Sequence, residues 1–248
     1  MTLTKQLGYV LPVITLVMLL VTGCAKAPSG GVGPTSGTIL VSFTVLGRIR
    51  PDYSYFVLFN NTSTPNSSPG PIPVVSAPWG NGFAAGEFTH FVKIDASLPN
   101  NGYGVFSVVP GTNLRSFNNL GSPTQSSPIT STSSTVSFEL PLSELATTAV
   151  PAASINALQI NIITTDRIPV DPNDPNPKLF DALGDGRNRS TINAPITIFT
   201  QQAGIYQNST SVSPEPAGDV AQVANNGNFI NVSEPDLDII DWHVEIRR

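Results

Sequence analysis

Five aspartates crowd the stretch from Asp166 to Arg189, which reads DRIPVDPNDPNPKLFDALGDGRNR. Asp171, Asp174, Asp181 and Asp185 form the candidate set, with Asn173 and Asn176 among them. Oxygen donors in this number can supply the roughly six to eight ligands that Ca²⁺ takes. The spacing is not that of an EF-hand loop. A plainer reading stands beside it. Asp-Pro-Asn is a turn former, used in tandem at 171–173 and 174–176. Arg167, Lys178, Arg187 and Arg189 can neutralise much of the charge locally.

A second candidate is the Gly-rich segment Pro78-Trp79-Gly80-Asn81-Gly82-Phe83. Trp79 and Phe83, with Asn81 between them, can form a stacking platform and amide donor for a glycan. They can equally plug the open end of a β-sheet fold. A third group is Glu234, Asp236, Asp238 and Asp241. Charges just before and within a terminal strand read as protection of a sheet edge. His90 and His243 are far apart and make a poor zinc pair. The sequence holds no HExxH, GxSxG, SxxK or P-loop pattern. An envelope hydrolase built from paired acids therefore stays only a formal alternative.

Composition narrows the field. The chain has 248 residues, 12% of them charged, and a formal net charge of -5. Acids outnumber bases 17 to 12, which argues against a nucleic-acid surface. Hydrophobic residues reach 40%, enough for a substantial core. One cysteine rules out an internal disulfide framework. Asp52, Glu87 and Asp95 are the only acids before residue 125, so most candidate chemistry lies in the second half.

That single cysteine closes the N-terminal segment. Lys5 precedes an apolar run from Val10 to Val21, too short to span a bilayer comfortably and typical of a signal peptide. Leu20-Val21-Thr22-Gly23-Cys24 resembles the lipobox of bacterial lipoproteins. The resemblance implies cleavage before Cys24, a thioether-linked diacylglycerol on its sulfur and usually an N-acyl chain. Two or three acyl chains anchor stably to a membrane. It also implies a cell-envelope, extracytoplasmic location, in the outer membrane if the cell has one, since Ala25 rather than Asp follows. The Asn-x-Ser/Thr sequons at Asn61, Asn66, Asn188, Asn208 and Asn231 then read as turn residues.

The elements that must position these residues are strands. Residues 25–37 are aperiodic and rich in Gly, Pro and Ser, a flexible tether. From residue 38 the period is two. Ile39, Val41, Phe43 and Val45 share one face, as do Val136, Phe138 and Leu140. Tyr53 to Phe59 is apolar on both faces, as expected of a central strand. Segments 88–94, 103–109 and 196–200 are β-rich. Leu158, Ile160 and Ile162 alternate with Gln159 and Asn161, and Ile240, Trp242, Val244 and Ile246 with Asp241, His243 and Glu245. Helical pattern is confined to Leu142–Thr148. About eight strands joined by long connections at 60–87, 111–134, 165–195 and 207–227 predict an all-β antiparallel β-sandwich, Ig-like or similar. The expected organisation is a signal peptide at 1–23, a lipidated Cys24 and linker at 24–37, and one β domain at 38–248.

Tyr53, Trp79-Gly80-Asn81-Gly82, Phe88-Thr89-His90-Phe91-Val92 and Asp238-Ile239-Ile240-Asp241-Trp242 resemble landmarks of a family of bacterial surface lipoproteins without an assigned activity. The likeness implies location and no chemistry. The expectation is an envelope lipoprotein with a binding or structural role and a membrane partner through Cys24. A glycan or protein ligand stays open, as does Ca²⁺.

Overall fold

The computed structural model describes residues 37–64, 69–95, 98–188, 194–224 and 226–248. Residues 1–36, and with them Cys24, the expected signal peptide and nearly all of the expected linker, lie outside the described residues. The fold is all-β. Among the described residues helix is limited to one α turn and short 3₁₀ turns, of which Leu142–Leu145 occupies the expected helical segment.

Two antiparallel sheets face each other. The strands of the smaller sheet include β1 (Thr38–Val45), β9 (Thr135–Pro141) and β16 (Ile239–Arg247), with β1 between the other two. Its edges are β13 (Gly204–Gln207) and β8 (Gln125–Ser126). Alternation sends Ile39, Val41, Phe43 and Val45 inward and leaves Leu40, Ser42 and Thr44 half-buried on the outer face. The larger sheet centres on β2 (Ser54–Thr62), which pairs with β10 (Ala157–Thr165) on one side and β5 (His90–Ile94) on the other. β6 (Tyr103–Val108) and β7 (Phe117–Gly121) extend it beyond β5. β11 (Lys178–Ala182), β14 (Ala221–Val223) and β15 (Phe229–Asn231) extend it beyond β10, and β12 (Ile196–Phe199) also pairs with β10.

Every residue of β2 and β10 is buried. A third layer explains this. The hairpin of β3 (Pro71–Pro73) and β4 (Ala84–Gly86), with the loop between them, lies over the outer face of the large sheet. Phe83 stacks on Phe56 at 4.2 Å, and Phe91 meets Phe117 edge-on at 4.9 Å. The layer also covers Gln159 and Asn161, the polar residues that alternate with Leu158, Ile160 and Ile162. Both are buried, Gln159 accepting from Asn60 Nδ2 and Asn161 donating to Pro71 O. Buried amides need such partners.

The long connections are less bare than the sequence suggests, since they contain β3, β4, β7, β11 and β14. Nine- and five-stranded sheets also exceed the seven to nine strands of an Ig domain, so the likeness is to sandwich architecture in general.

Candidate functional site

The sandwich has two distinct ends. At one, Gly37 leads into β1 beside the C-terminal Arg247 and Arg248. At the other, β1 finishes at Val45 opposite Ile239, the first residue of β16. Eight residues of extended chain separate these ends by roughly 25 Å.

Four acids gather at the far end. Asp181 comes from β11, Asp238 from the residue before β16, and Glu215 and Asp219 from the segment between β13 and β14. Asp181 and Asp219 are fully buried, Asp238 is 2% exposed and Glu215 7%. One oxygen from each of Asp181, Asp219 and Asp238 lies within 4.8 Å of the other two.

Main-chain N–H groups fix these carboxylates in place. Asp181 Oδ1 accepts from Ala182 N at 2.9 Å and Oδ2 from Ile239 N at 2.8 Å. Both oxygens of Asp238 accept from Gly218 N, at 3.1 and 2.8 Å. Gly184 N donates to Glu215 Oε2 at 2.9 Å and Gly186 N to Asp219 Oδ2 at 2.7 Å. The remaining oxygens, Glu215 Oε1 and Asp219 Oδ1, are buried and have no hydrogen-bond partner.

Glycine permits the close approach of the 184–186 loop. A Cβ on Gly186 would stand 2.2 Å from Asp219 O, and Gly184 has φ of +109°.

No base balances this charge. Among the described residues no lysine, arginine or histidine hydrogen-bonds to any of the four carboxylates. Arg187, which feels the charge of Asp219, is held by Asp185 at the surface. Burial drives the Asp181 carboxyl well above the usual range, with the charge of Asp219 adding to it. Burial first and Asp181 second push Glu215 up to about 11. Asp219 rises to about 7, mainly through burial, with Asp238 contributing. Buried like charges disfavour joint ionisation, so in the absence of a cation the group retains protons.

The sequence reading found one member of this cluster. Asp181 belongs to it, whereas Asp171, Asp174 and Asp185 do not. Asp171 Oδ1 accepts from Asn173 N, closing its own turn. Asp174 pairs with Arg167 and accepts from Asn176. Asp185 is chelated by Arg187, Oδ1 from Nε at 2.8 Å and Oδ2 from Nη2 at 3.0 Å. Local partners therefore satisfy the three loop acids, while Asp181 lies in a strand facing between the sheets. Asp238 is likewise corrected, from edge protection to burial. Glu215 and Asp219 were missed. Their one signal is company with Pro214, Pro216 and Gly218 in a turn.

Trp79, Asn81 and Phe83 are brought together as a plug. Trp79 is fully buried, and its indole N–H donates to Asp174 O at 3.0 Å. Its main-chain N–H donates to Pro172 O. The tandem Asp-Pro-Asn loop thus lies on the tryptophan. Asn81 Oδ1 accepts from Phe83 N and Ala84 N, shaping the turn. Neither ring offers the exposed face that sugar stacking needs.

The distal end also carries a cleft of about 540 Å³ whose walls include Arg48, Arg50, Ile94, Asn101 and Ile129. Arg50 is engaged by Asp52, through Nε–Oδ1 at 2.9 Å and Nη2–Oδ2 at 2.6 Å.

Comparison with protein-family models, curated proteins and solved structures returned no match.

Proposed function

We propose that this protein is a lipid-anchored, extracytoplasmic β-sandwich lipoprotein with a binding or structural role at the cell envelope. The observation that carries the reading is Cys24, the only cysteine, closing the lipobox-like Leu20-Val21-Thr22-Gly23. The layout of the sandwich is compatible with it. The strand nearest Cys24 in sequence is β1, with the Gly-, Pro- and Ser-rich residues 25–37 between them. The acid cluster and the arginine-lined cleft occupy the end of the sandwich away from Gly37.

The reading favours no reaction. Asp181 and Asp219 are closed to solvent, so a substrate bond cannot reach them without opening of the loops.

The test is palmitate labelling in a bacterial host, followed by mass spectrometry of the mature N-terminus. The expected peptide starts at Cys24 and carries the diacylglycerol thioether. Cys24→Ser should lose the label and leave the membrane fraction. An unmodified Cys24, or a mature chain that begins elsewhere, would overturn the proposal.

A further inference from the structure

We infer that Asp181, Asp219 and Asp238, with Glu215 beside them, form a structural Ca²⁺ site that ties the two sheets together at the distal end of the sandwich. Two independent observations support it.

The first is geometric. Two oxygens bound to one Ca²⁺ at about 2.4 Å are at most about 4.8 Å apart. The oxygens of Asp181, Asp219 and Asp238 meet that bound. The second is the pair of orphaned acceptors. In both Glu215 and Asp219 a glycine N–H holds one carboxylate oxygen and leaves the other buried without a donor. A buried carboxylate oxygen without a partner is costly. A cation held by the three aspartates would satisfy the Asp219 carboxylate directly.

The donor set selects the ion. All candidate ligands are carboxylate oxygens, which suits a hard cation and disfavours zinc, copper or iron. Mg²⁺ keeps several waters and demands strict octahedral geometry, whereas Ca²⁺ accepts irregular oxygen cages. Glu215 stands beside the triad and can complete the shell from the rim, with water for the remaining positions.

The consequence is mechanical. Asp181 belongs to the nine-stranded sheet, and Asp238 leads directly into β16 of the five-stranded one. Glu215 and Asp219 bring in the connection between β13 and β14. One ion would therefore join three parts of the chain that are distant in sequence.

The experiment uses the full-length protein in detergent, stripped with a chelator. Thermal unfolding is measured in chelator, in about 1 mM Ca²⁺ and in about 1 mM Mg²⁺, with calorimetric titration of Ca²⁺ alongside. The expected result is one Ca²⁺ per chain and a melting rise of about 5 °C, as for an ion near a hundredfold over its Kd. Mg²⁺ should give a much smaller shift. Asp219→Asn keeps the shape and a donor-acceptor amide, so it should fold in chelator and lose the Ca²⁺ response. Glu234→Gln, in the nearby acidic run but outside the cluster, should keep it. Absence of heat and of a melting shift in the wild type would overturn the inference, as would an Asp219→Asn variant that responds to Ca²⁺ like the wild type. An equal response to Mg²⁺ would overturn the assignment to Ca²⁺. None of these outcomes depends on whether Cys24 is acylated.

Discussion

Asp181 Oδ2 accepts the main-chain N–H of Ile239 at 2.8 Å, a hydrogen bond from the large sheet to the first residue of the terminal strand of the small one. Its other oxygen holds Ala182 N within its own strand. Asp181→Ala therefore leaves two buried N–H groups without acceptors, at a cost of about 1–3 kcal/mol each. Asp181→Asn retains one acceptor oxygen and should lose less. Urea unfolding in chelator measures both. Equal stability of Asp181→Ala and the wild type would show that the inter-sheet bond contributes nothing.

Gly186 is the second point of leverage. Its missing side chain lets the 184–186 loop approach within contact of Asp219, where a methyl group would stand 2.2 Å from a main-chain oxygen. That neighbour is backbone and cannot swing away. Gly186→Ala should cost about 1–3 kcal/mol, the usual range for forced overpacking. It should also pull Gly186 N away from Asp219 Oδ2. Denaturant titration checks the first effect, and the shift of the Gly186 amide resonance between wild type and variant in chelator checks the second.

Much of the sandwich is legible in the sequence because its central strands obey simple patterns. β1 and β9 alternate cleanly, each with one inner and one outer face; β16 does so from Asp241 onward, but a register shift at its start buries Ile239 and leaves Ile240, expected on the inner face, half-buried. β2 reads as buried on both sides and is. β10 misleads, because Gln159 and Asn161 look like a solvent face when the β3–β4 layer covers them. That layer is short, glycine-rich and proline-rich, so it leaves no periodic signal. β11 is hidden for a related reason. Lys178-Leu179-Phe180-Asp181-Ala182 carries both charges of a strand that is almost wholly buried, and it sits inside a run that otherwise reads as turns.

The acid cluster was only partly legible because proximity in sequence is a poor guide to proximity in space for carboxylates. Asp171, Asp174 and Asp185 stand close to Asp181 along the chain. However, each has a partner two residues away or a neighbouring arginine, and turns of this kind absorb an aspartate locally. Asp219 reaches Asp181 through the pairing of β14 with β11, and Asp238 through the packing of one sheet on the other, neither of which a single sequence discloses.

Trp79 offers a separate test of the outer layer. It is fully buried, donates to Asp174 O and lies beneath the tandem turn loop. Trp79→Ala should cost about 3–5 kcal/mol, as for removal of a large buried aromatic. Denaturant unfolding followed by circular dichroism provides the measurement. A loss below about 1 kcal/mol would mean that the ring is not the plug described, and would return it to consideration as an exposed platform.

Lys178 makes stability depend on pH in a defined window. Its ammonium is fully buried, donates to Gly82 O at 3.0 Å and lies 5.7 Å from the Trp79 ring and 5.5 Å from that of Phe180. Burial lowers its pKa from 10.5 to about 7, partly offset by the charge of Asp166. Between those values the unfolded chain binds a proton that the native chain does not. This contribution to stability therefore rises with pH through the window and is smallest at and below pH 7. Lys178→Met removes the titrating group at similar volume. Its stability relative to the wild type should be greatest near pH 7 and decline toward pH 10.5, by roughly 3–5 kcal/mol across the window. Urea unfolding of both proteins at stepped pH reads this difference directly. Parallel curves from pH 7 to 10.5 would show that the lysine titrates as it does in water.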